Sequence, residues 1–553
     1  MLKYIGKRLL SAIVSLFVLS VIAFTTIELP PGDFIAAYVA QLRQQGDALD
    51  EAEVAALVQQ YGLSGPGYLN WARGQGPSNP TNPVPAPTGG VAPPNDAPYG
   101  DVFFEGAGVN PFIDTEDDHL STFALDVDTG SYTVARRYIT DGHLPPKEAI
   151  RVEEFVNYFD QDYPYPSDGQ AFRIHLDGAP FPFAETERYR MLRVGLQGYS
   201  VPWEERQDAA LTFVIDVSGS MDLESRLELV KQSLELLVEQ LRPADSVAIV
   251  VYGSTAHTVL EPTSGADKES ILWAIRALHP EGATNAEAGL RLGYDLALRA
   301  FKPDGTNRVI LCSDGVANVG NTSAESIWET VKARASEGIV LTTVGFGMGN
   351  YNDVLMERLA DNGNGFYAYV DTLSEAKRLF VEDLTGTLQV IALDAKVQVD
   401  FNPDVVARYR LVGFENRAIA DEDFRDDSVD AGEVGAGHSV TALYEIKLYP
   451  EAQGRVATVY LRWEDPDTRE VVELDQSIAT DDLAESFDAT DPHFQWDAIV
   501  AEYAEILRES YWAQNSTLAG VSEEARRVGR LLGNSPRVAE FIELAERTES
   551  IAE

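Results

Sequence analysis

From Leu211 to Gly386 strand-length apolar runs alternate with stretches of helical period, and that alternation constrains the fold more than any other feature of the chain. LTFVI, DSVAIVVYG, NRVILCSDG, IVLTTVGFG and GFYAYV are rich in β-branched and aromatic residues, as expected of strands buried on both faces. Between them RLELVKQSLELLVEQL, ESILWAIRAL, AEAGLRLGYDLALRAF, SIWETVKARASEG and VLMERLADNG place apolar residues at helical spacing, and HTVLEP reads as a shorter edge strand. The pattern predicts an α/β fold, a doubly wound, mostly parallel sheet with helices on both faces. Such sheets take their ligands beyond the carboxyl ends of the strands.

The first of these strands stops at Asp216, and Ser218, Gly219 and Ser220 follow before helical spacing resumes. Asp216, Ser218 and Ser220 occupy alternate positions on a turn, so one carboxylate and two hydroxyls can converge on a single point. Hard oxygen donors of this kind suit a small hard cation such as Mg²⁺. Two further stretches reach the same edge of the sheet. HPEGATNAEAGL sets Thr284 in a Gly-bearing loop just before a helix, and NRVILCSDG ends at Asp314. Taken singly, Thr284 reads as a helix cap and Asp314 as a turn residue. Together the five residues offer two carboxylates and three hydroxyls, a six-coordinate oxygen site once water is added.

On these residues, the region from about Asp208 to Leu388 resembles a von Willebrand factor type A domain. Asp216, Ser218, Ser220, Thr284 and Asp314 match that family's metal-ion-dependent adhesion site in full. The resemblance implies that the three hydroxyls approach the metal directly or nearly so, while the two aspartates act largely through water. It also implies a cation, Mg²⁺ or alternatively Mn²⁺ or Ca²⁺, that keeps one position for an Asp or Glu of a protein partner. The likeness extends over residues 103 to about 548. LDVDTGSY and LPPKEAIRVEEFVNYF, within Ser121–Phe159, resemble the segment preceding the type A domain in a bacterial family of anchored proteins, and the part after Leu388 corresponds to that family's own C-terminal domain. A lipobox cysteine is common at the start of that family, and none stands here.

The N-terminus offers a different anchor. Leu9 to Ile27 contains no charged residue and is long enough to span a bilayer; Lys3, Lys7 and Arg8 precede it, while Glu28 and Asp33 follow. The charge asymmetry predicts a retained single-pass helix with the N-terminus cytoplasmic and the bulk of the chain extracytoplasmic. Residues 1–74, including the PPGD motif and DEAEVAALVQQYGLSGPGYLNWARG, resemble the start of a peptide-type ABC importer permease, whose remaining membrane helices are absent. QGPSNPTNPVPAPTGGVAPPNDAPY, from Gln75, reads as an extended tether. The expected organisation is an anchor at 1–29, a permease-like segment at 30–74, a linker at 75–99, an N-terminal associated domain at 100–205, the type A domain at 206–390, a β-rich domain at 391–490 and helices at 491–553.

A formal charge of −45 argues against nucleic acid, whose binders need clustered Lys and Arg to release counterions. The single cysteine, Cys312, lies in the apolar run VILC, which predicts a small core residue and excludes an intrachain disulfide. TFALDVDTGS invites two chemical readings, a phosphatase-like nucleophile at Asp126 with Asp128 as acid and base, or a calcium loop. The segments after it are too short for the first, and Arg137 stands where the second needs a glutamate, so a structural turn before a helix is expected. His175 falls in the alternation FRIHLDG and reads as an ordinary strand residue.

LDAKVQVDFNP, ARYRLVGFENR, GHSVTALYEIKLYP and VATVYLRWEDP alternate as strands of a sandwich. The acidic loop ADEDFRDDSVDAGEVGAG between them reads either as solvated or as a calcium ligand. Three functions follow: a membrane-tethered binding protein, a metal-dependent hydrolase, or a scaffold for assembling another complex. Hydrolysis needs a base near the cation. His279 precedes Thr284 by five residues and His257 belongs to another strand, so binding without enzymatic activity is the expectation.

Overall fold

The computed structural model describes residues 104–552 apart from 168, 185, 187, 283, 316–323, 349–350 and 534. The expected membrane anchor, permease-like segment and linker lie outside the described residues. Among the described residues no helix is long and apolar enough to cross a membrane.

In chain order the chain first forms β1 (Ile113–Asp114), β2 (Leu120–Ala124), α1 (Gly130–Thr140), α2 (Val152–Asn157), β3 (Phe172–Pro180) and β4 (Tyr189–Gly198). The α/β part follows with β5 (Ala209–Asp216), α3 (Arg226–Glu239), β6 (Ser246–Tyr252), β7 (Ala256–Ser264), α4 (Lys268–Arg276), α5 (Ala286–Ala300), β8 (Thr306–Ser313), α6 (Ala324–Ser336), β9 (Ile339–Phe346), α7 (Asp353–Asp361) and β10 (Tyr367–Val370). Its sheet has the order β10-β9-β8-β5-β6-β7. All neighbours are parallel except β7, which runs antiparallel to β6 at the edge, where HTVLEP was expected to lie.

β5 is central and buried along its whole length. Its side chains alternate between two cores, as period 2 requires. Leu211, Phe213 and Ile215 pack with Leu227, Leu234 and Ile271 from α3 and α4, while Val214 joins Leu290 and Tyr294 of α5 on the opposite face. Gly293 lets α5 approach closely, because a Cβ there would stand 2.4 Å from Val214 Cγ2. Cys312 on β8 is buried in the first of these cores.

After α8 (Leu373–Lys377) and α9 (Leu384–Leu388), the chain forms β11 (Val390–Phe401), β12 (Val406–Val412), β13 (Gly432–Gly435), β14 (Ser439–Leu448), β15 (Arg455–Glu464) and β16 (Val471–Ala479), then α10 (Pro492–Leu507), α11 (Leu518–Leu531) and α12 (Pro536–Ala552). Two sheets, β1-β12-β14-β4-β3 and β13-β11-β15-β16, the second with β2 also on β11, enclose a common core that includes Leu192, Val194, Val397, Val399, Val459 and Leu461.

This pairing corrects the expected division into residues 100–205 and 391–490. β4 runs antiparallel to β14 from Tyr189–Lys447 to Gln197–Ser439, so strands from both sides of the α/β part build one sandwich. The C-terminal helices are likewise completed from the other end of the chain. Trp496 and Phe541 pack edge-on against Phe159, in a core shared with Tyr132 and Phe155. The α/β part is thus inserted in a split unit made by the segments before and after it.

Buried arginines join these layers. Arg417, after β12, holds Asp126 at 2.9 Å, Asp361 at 2.9 Å, Glu357 at 3.3 Å and Asp128 at 3.5 Å. Asp126 Oδ1 accepts the Asp128 N–H, and Asp128 Oδ1 accepts the Tyr367 N–H at 2.9 Å. The Asp-x-Asp motif is therefore a structural turn that fastens the N-terminal segment to β10. His175 stacks on Tyr163 and bonds the Pro164 carbonyl.

Two other buried carboxyls lack full compensation. Glu153 and Glu502 each have one oxygen buried without a partner, and burial pushes their pKa values up to about 7 and about 8. A group whose pKa is raised on folding binds more protons folded than unfolded, so its stabilisation is complete below the unfolded value and is lost as pH rises through the folded value. Unfolding midpoints in urea should therefore fall between pH 5 and pH 8, and Glu502→Gln should flatten part of that slope. An unchanged slope in the variant would contradict this assignment.

Candidate functional site

The carboxyl end of β5 delivers Asp216 with no exposed surface, and the chain turns at once. The turn is held by Asp216 itself, whose Oδ1 accepts the Ser218 N–H at 2.8 Å. Ser218 Oγ lies 2.9 Å from Ser220 Oγ, so the two hydroxyls share one face of the loop. Asp314, fully buried at the end of neighbouring β8, completes the pair of carboxylates. Burial first, and the nearby Asp314 second, push the Asp216 pKa up to about 7.

The loop carrying Thr284 is drawn to the same place by the backbone. Gly219 N–H donates to Gly282 O at 2.9 Å, and Glu281 N–H donates to Val217 O. Gly282 has φ +63°, and a Cβ there would stand 2.2 Å from Ser254 Oγ, so a residue without a side chain fits this contact. The capping role that Thr284 could have filled belongs to its neighbour. Asn285 Oδ1 accepts the Ala288 N–H at 3.1 Å and caps α5. Thr284 is half-buried immediately before that cap.

Two participants were not evident from sequence. Ser313 Oγ donates to Asp216 Oδ2 at 3.2 Å, and Arg226 Nη1 pairs with Asp314 Oδ2 at 2.9 Å in the interior. Arg226 also bonds the Met348 carbonyl. There was a signal for it. An arginine at the first position of a helix opposes the macrodipole, which favours acids there. Arg226 opens α3, and its partner across the site explains the placement.

The donor set is oxygen only, and it is unevenly charged. Arg226 answers one carboxylate, whereas among the described residues Asp216 receives neutral hydrogen bonds, from Ser218 and Ser313. Two like charges buried together call for a proton or a cation between them, and the residues present fit a hard divalent ion.

Residues 210–382 match the von Willebrand factor type A domain family, residues 99–192 a family described as von Willebrand factor, and residues 386–551 the family described as "Uncharacterized protein YfbK, C-terminal". "Uncharacterized protein YfbK" of Escherichia coli (strain K12) is 36% identical over 473 residues, covering 80% of this chain and 80% of that protein. The chain belongs to the YfbK family of type A domain proteins. Outside this family, the human inter-alpha-trypsin inhibitor heavy chain H3 is 30% identical over 188 residues, covering 32% of this chain and 20% of that one. Among solved structures, a von Willebrand factor type A protein from Catenulispora acidiphila covers 67% of this chain and 89% of its own, at 15% identity and a TM-score of 0.41. Type A domains mediate protein–protein interaction and commonly hold a divalent metal. In this YfbK-family chain the match to the type A domain spans all five expected ligands.

Proposed function

We propose that this YfbK-family protein captures a protein partner through a divalent cation, Mg²⁺ foremost, held by Asp216, Ser218, Ser220, Thr284 and Asp314, with an Asp or Glu of the partner closing the coordination shell. The observation that carries the reading is the buried Asp216–Asp314 pair beside the two facing hydroxyls. With Ser218 and Ser220 neutral and Arg226 answering Asp314, a divalent ion would leave the site net positive. A net positive site attracts an incoming carboxylate. Leu223, 57% exposed on the turn that follows, would add an apolar contact at the rim.

Capture without chemistry is the favoured use. His279 is engaged with Glu281 at 3.4 Å and with the Ala277 carbonyl, and His257 sits on β7 opposite Val251. Leu9–Ile27, by its length and flanking charges, would anchor the protein in a membrane with its bulk extracytoplasmic. A pulldown from membrane and envelope extracts in Mg²⁺ against EDTA, with Ser218→Ala as control, tests the reading. A partner should be retained by the wild type in Mg²⁺ only, and by the variant in neither. Equal retention in EDTA would overturn it.

A further inference from the structure

Some 180 to 220 residues beyond Asp216 along the chain, three acids meet on the sandwich, and no part of the candidate adhesion site is among them. Asp394 lies in β11 at an irregularity in its pairing with β13, Asp430 lies in the acidic loop just before β13, and Glu433 lies on β13. One carboxylate oxygen from each lies within 4.8 Å of the others. An acidic cluster on a surface is ordinary in a chain of this charge. Glu433 is not ordinary: its Oε1 is shut off from solvent and accepts no hydrogen bond. A carboxylate oxygen closed off from water without a hydrogen bond is costly unless the group is protonated or coordinates a cation.

The surrounding charges do not remove that need. Lys332 reaches Asp430 at 3.3 Å from the solvent side. Asp394 takes the Ala431 N–H at 3.1 Å, and Lys396, whose charge favours the ionised form of Asp394, donates its own hydrogen bond to the Asp426 carbonyl. Arg417 and the fully buried Arg308 both favour the ionised form of Glu433, yet the Arg417 nitrogens are directed to Asp126, Asp128, Glu357 and Asp361, and the Arg308 Nη groups donate to Thr342 Oγ1 and the Leu388 carbonyl. Burial first, then Asp430, Asp394 and Asp361, drive the Glu433 pKa well above the usual range. A cavity of about 260 Å³ opens beside the cluster, lined in part by Asp126, Asp128, Asp361, Asp430 and Glu433. It has room for the waters that would complete a coordination shell.

We propose that Asp394, Asp430 and Glu433 form a second cation site, of calcium type, that pins the acidic loop to the sandwich. Calcium accepts six to eight oxygens in irregular geometry at about 2.3–2.6 Å, so oxygens on opposite sides of it lie roughly 4.6–5.2 Å apart, whereas Mg²⁺ demands a tighter octahedron. Three carboxylates from separate elements, gathered within 4.8 Å of one another beside a cavity with room for water, suit an ion that tolerates irregular oxygen geometry. The site is independent of partner capture at Asp216.

The test is Ca²⁺ binding by equilibrium dialysis and thermal unfolding, on the full chain carrying Asp216→Asn so that the adhesion site does not contribute. This chain should bind one Ca²⁺ and unfold at higher temperature in CaCl₂ than in EDTA. Adding Glu433→Gln should weaken binding by about 10-fold or more. Asp430→Asn, at an exposed position that the fold tolerates, should do the same and serves if the Glu433 variant does not fold. No Ca²⁺ bound by the Asp216→Asn chain, or binding unchanged by Asp430→Asn, would overturn the proposal and leave Glu433 as a buried protonated acid.

Discussion

Asp216→Asn is expected to abolish divalent-dependent partner capture while leaving the fold at least as stable as the wild type. Asparagine keeps an oxygen to receive the Ser218 N–H, so the turn after β5 persists. It removes the like charge buried beside Asp314, so the metal-free protein loses a repulsion and little else. Loss of a metal-orienting carboxylate lowers cation affinity by about 10–100-fold or more, and partner affinity follows it. Urea unfolding in EDTA, set beside Mg²⁺ titration of the same variant, separates the two effects. A variant that unfolds more readily and still binds Mg²⁺ would make Asp216 a structural residue.

The largest loss of stability is expected at Arg417. Its guanidinium answers Asp126, Asp128, Glu357 and Asp361, which come from the N-terminal segment and from α7 and its end. Arg417→Met leaves Asp126 and Asp128 buried, with Glu357 and the part-exposed Asp361 nearby, and takes away their cation. Removing one partner of a buried ion pair typically costs about 3–5 kcal/mol, because the remaining charges are uncompensated. Part of that loss should be regained at low pH, where the acids protonate. The same substitution at the exposed Arg425, paired with Glu473 in solvent, should change stability by less than about 1 kcal/mol. Denaturant midpoints of the two variants check the contrast; equal effects would show that Arg417 does not act as a hub.

The α/β part was legible because its strands are apolar on both faces and end abruptly at Asp216, Asp314, Asp371 or a glycine. The edge β7 was legible too, although it extends to Ser264. The sandwich strands could be recognised one by one, but not which paired with which. Alternation in RYRMLRVGLQG shows that one face of β4 is buried; it carries no information that β14, some 250 residues later, pairs beside it. β16 was missed, since VVELDQSIA is an edge strand with most side chains in solvent and only a weak apolar pattern.

Buried arginines were the second gap. Arg136, which pairs with Asp371 and Glu375, looks like a surface residue in sequence, as do Arg226 and Arg417, and only folding brings their acids from distant segments. At the candidate site, the spacing of Asp216, Ser218 and Ser220 put them on one turn, and the structure places them there. Thr284 was readable with a rival role as a cap, which Asn285 fills. Arg226 was hidden because its partner is 88 residues away.

Crystals grown with MnCl₂ and measured at the manganese edge test the central claim most directly. An anomalous peak is expected among the oxygens of Ser218, Ser220, Thr284 and the two aspartates, and none in Ser218→Ala. A well-ordered loop with no peak in the wild type would contradict it.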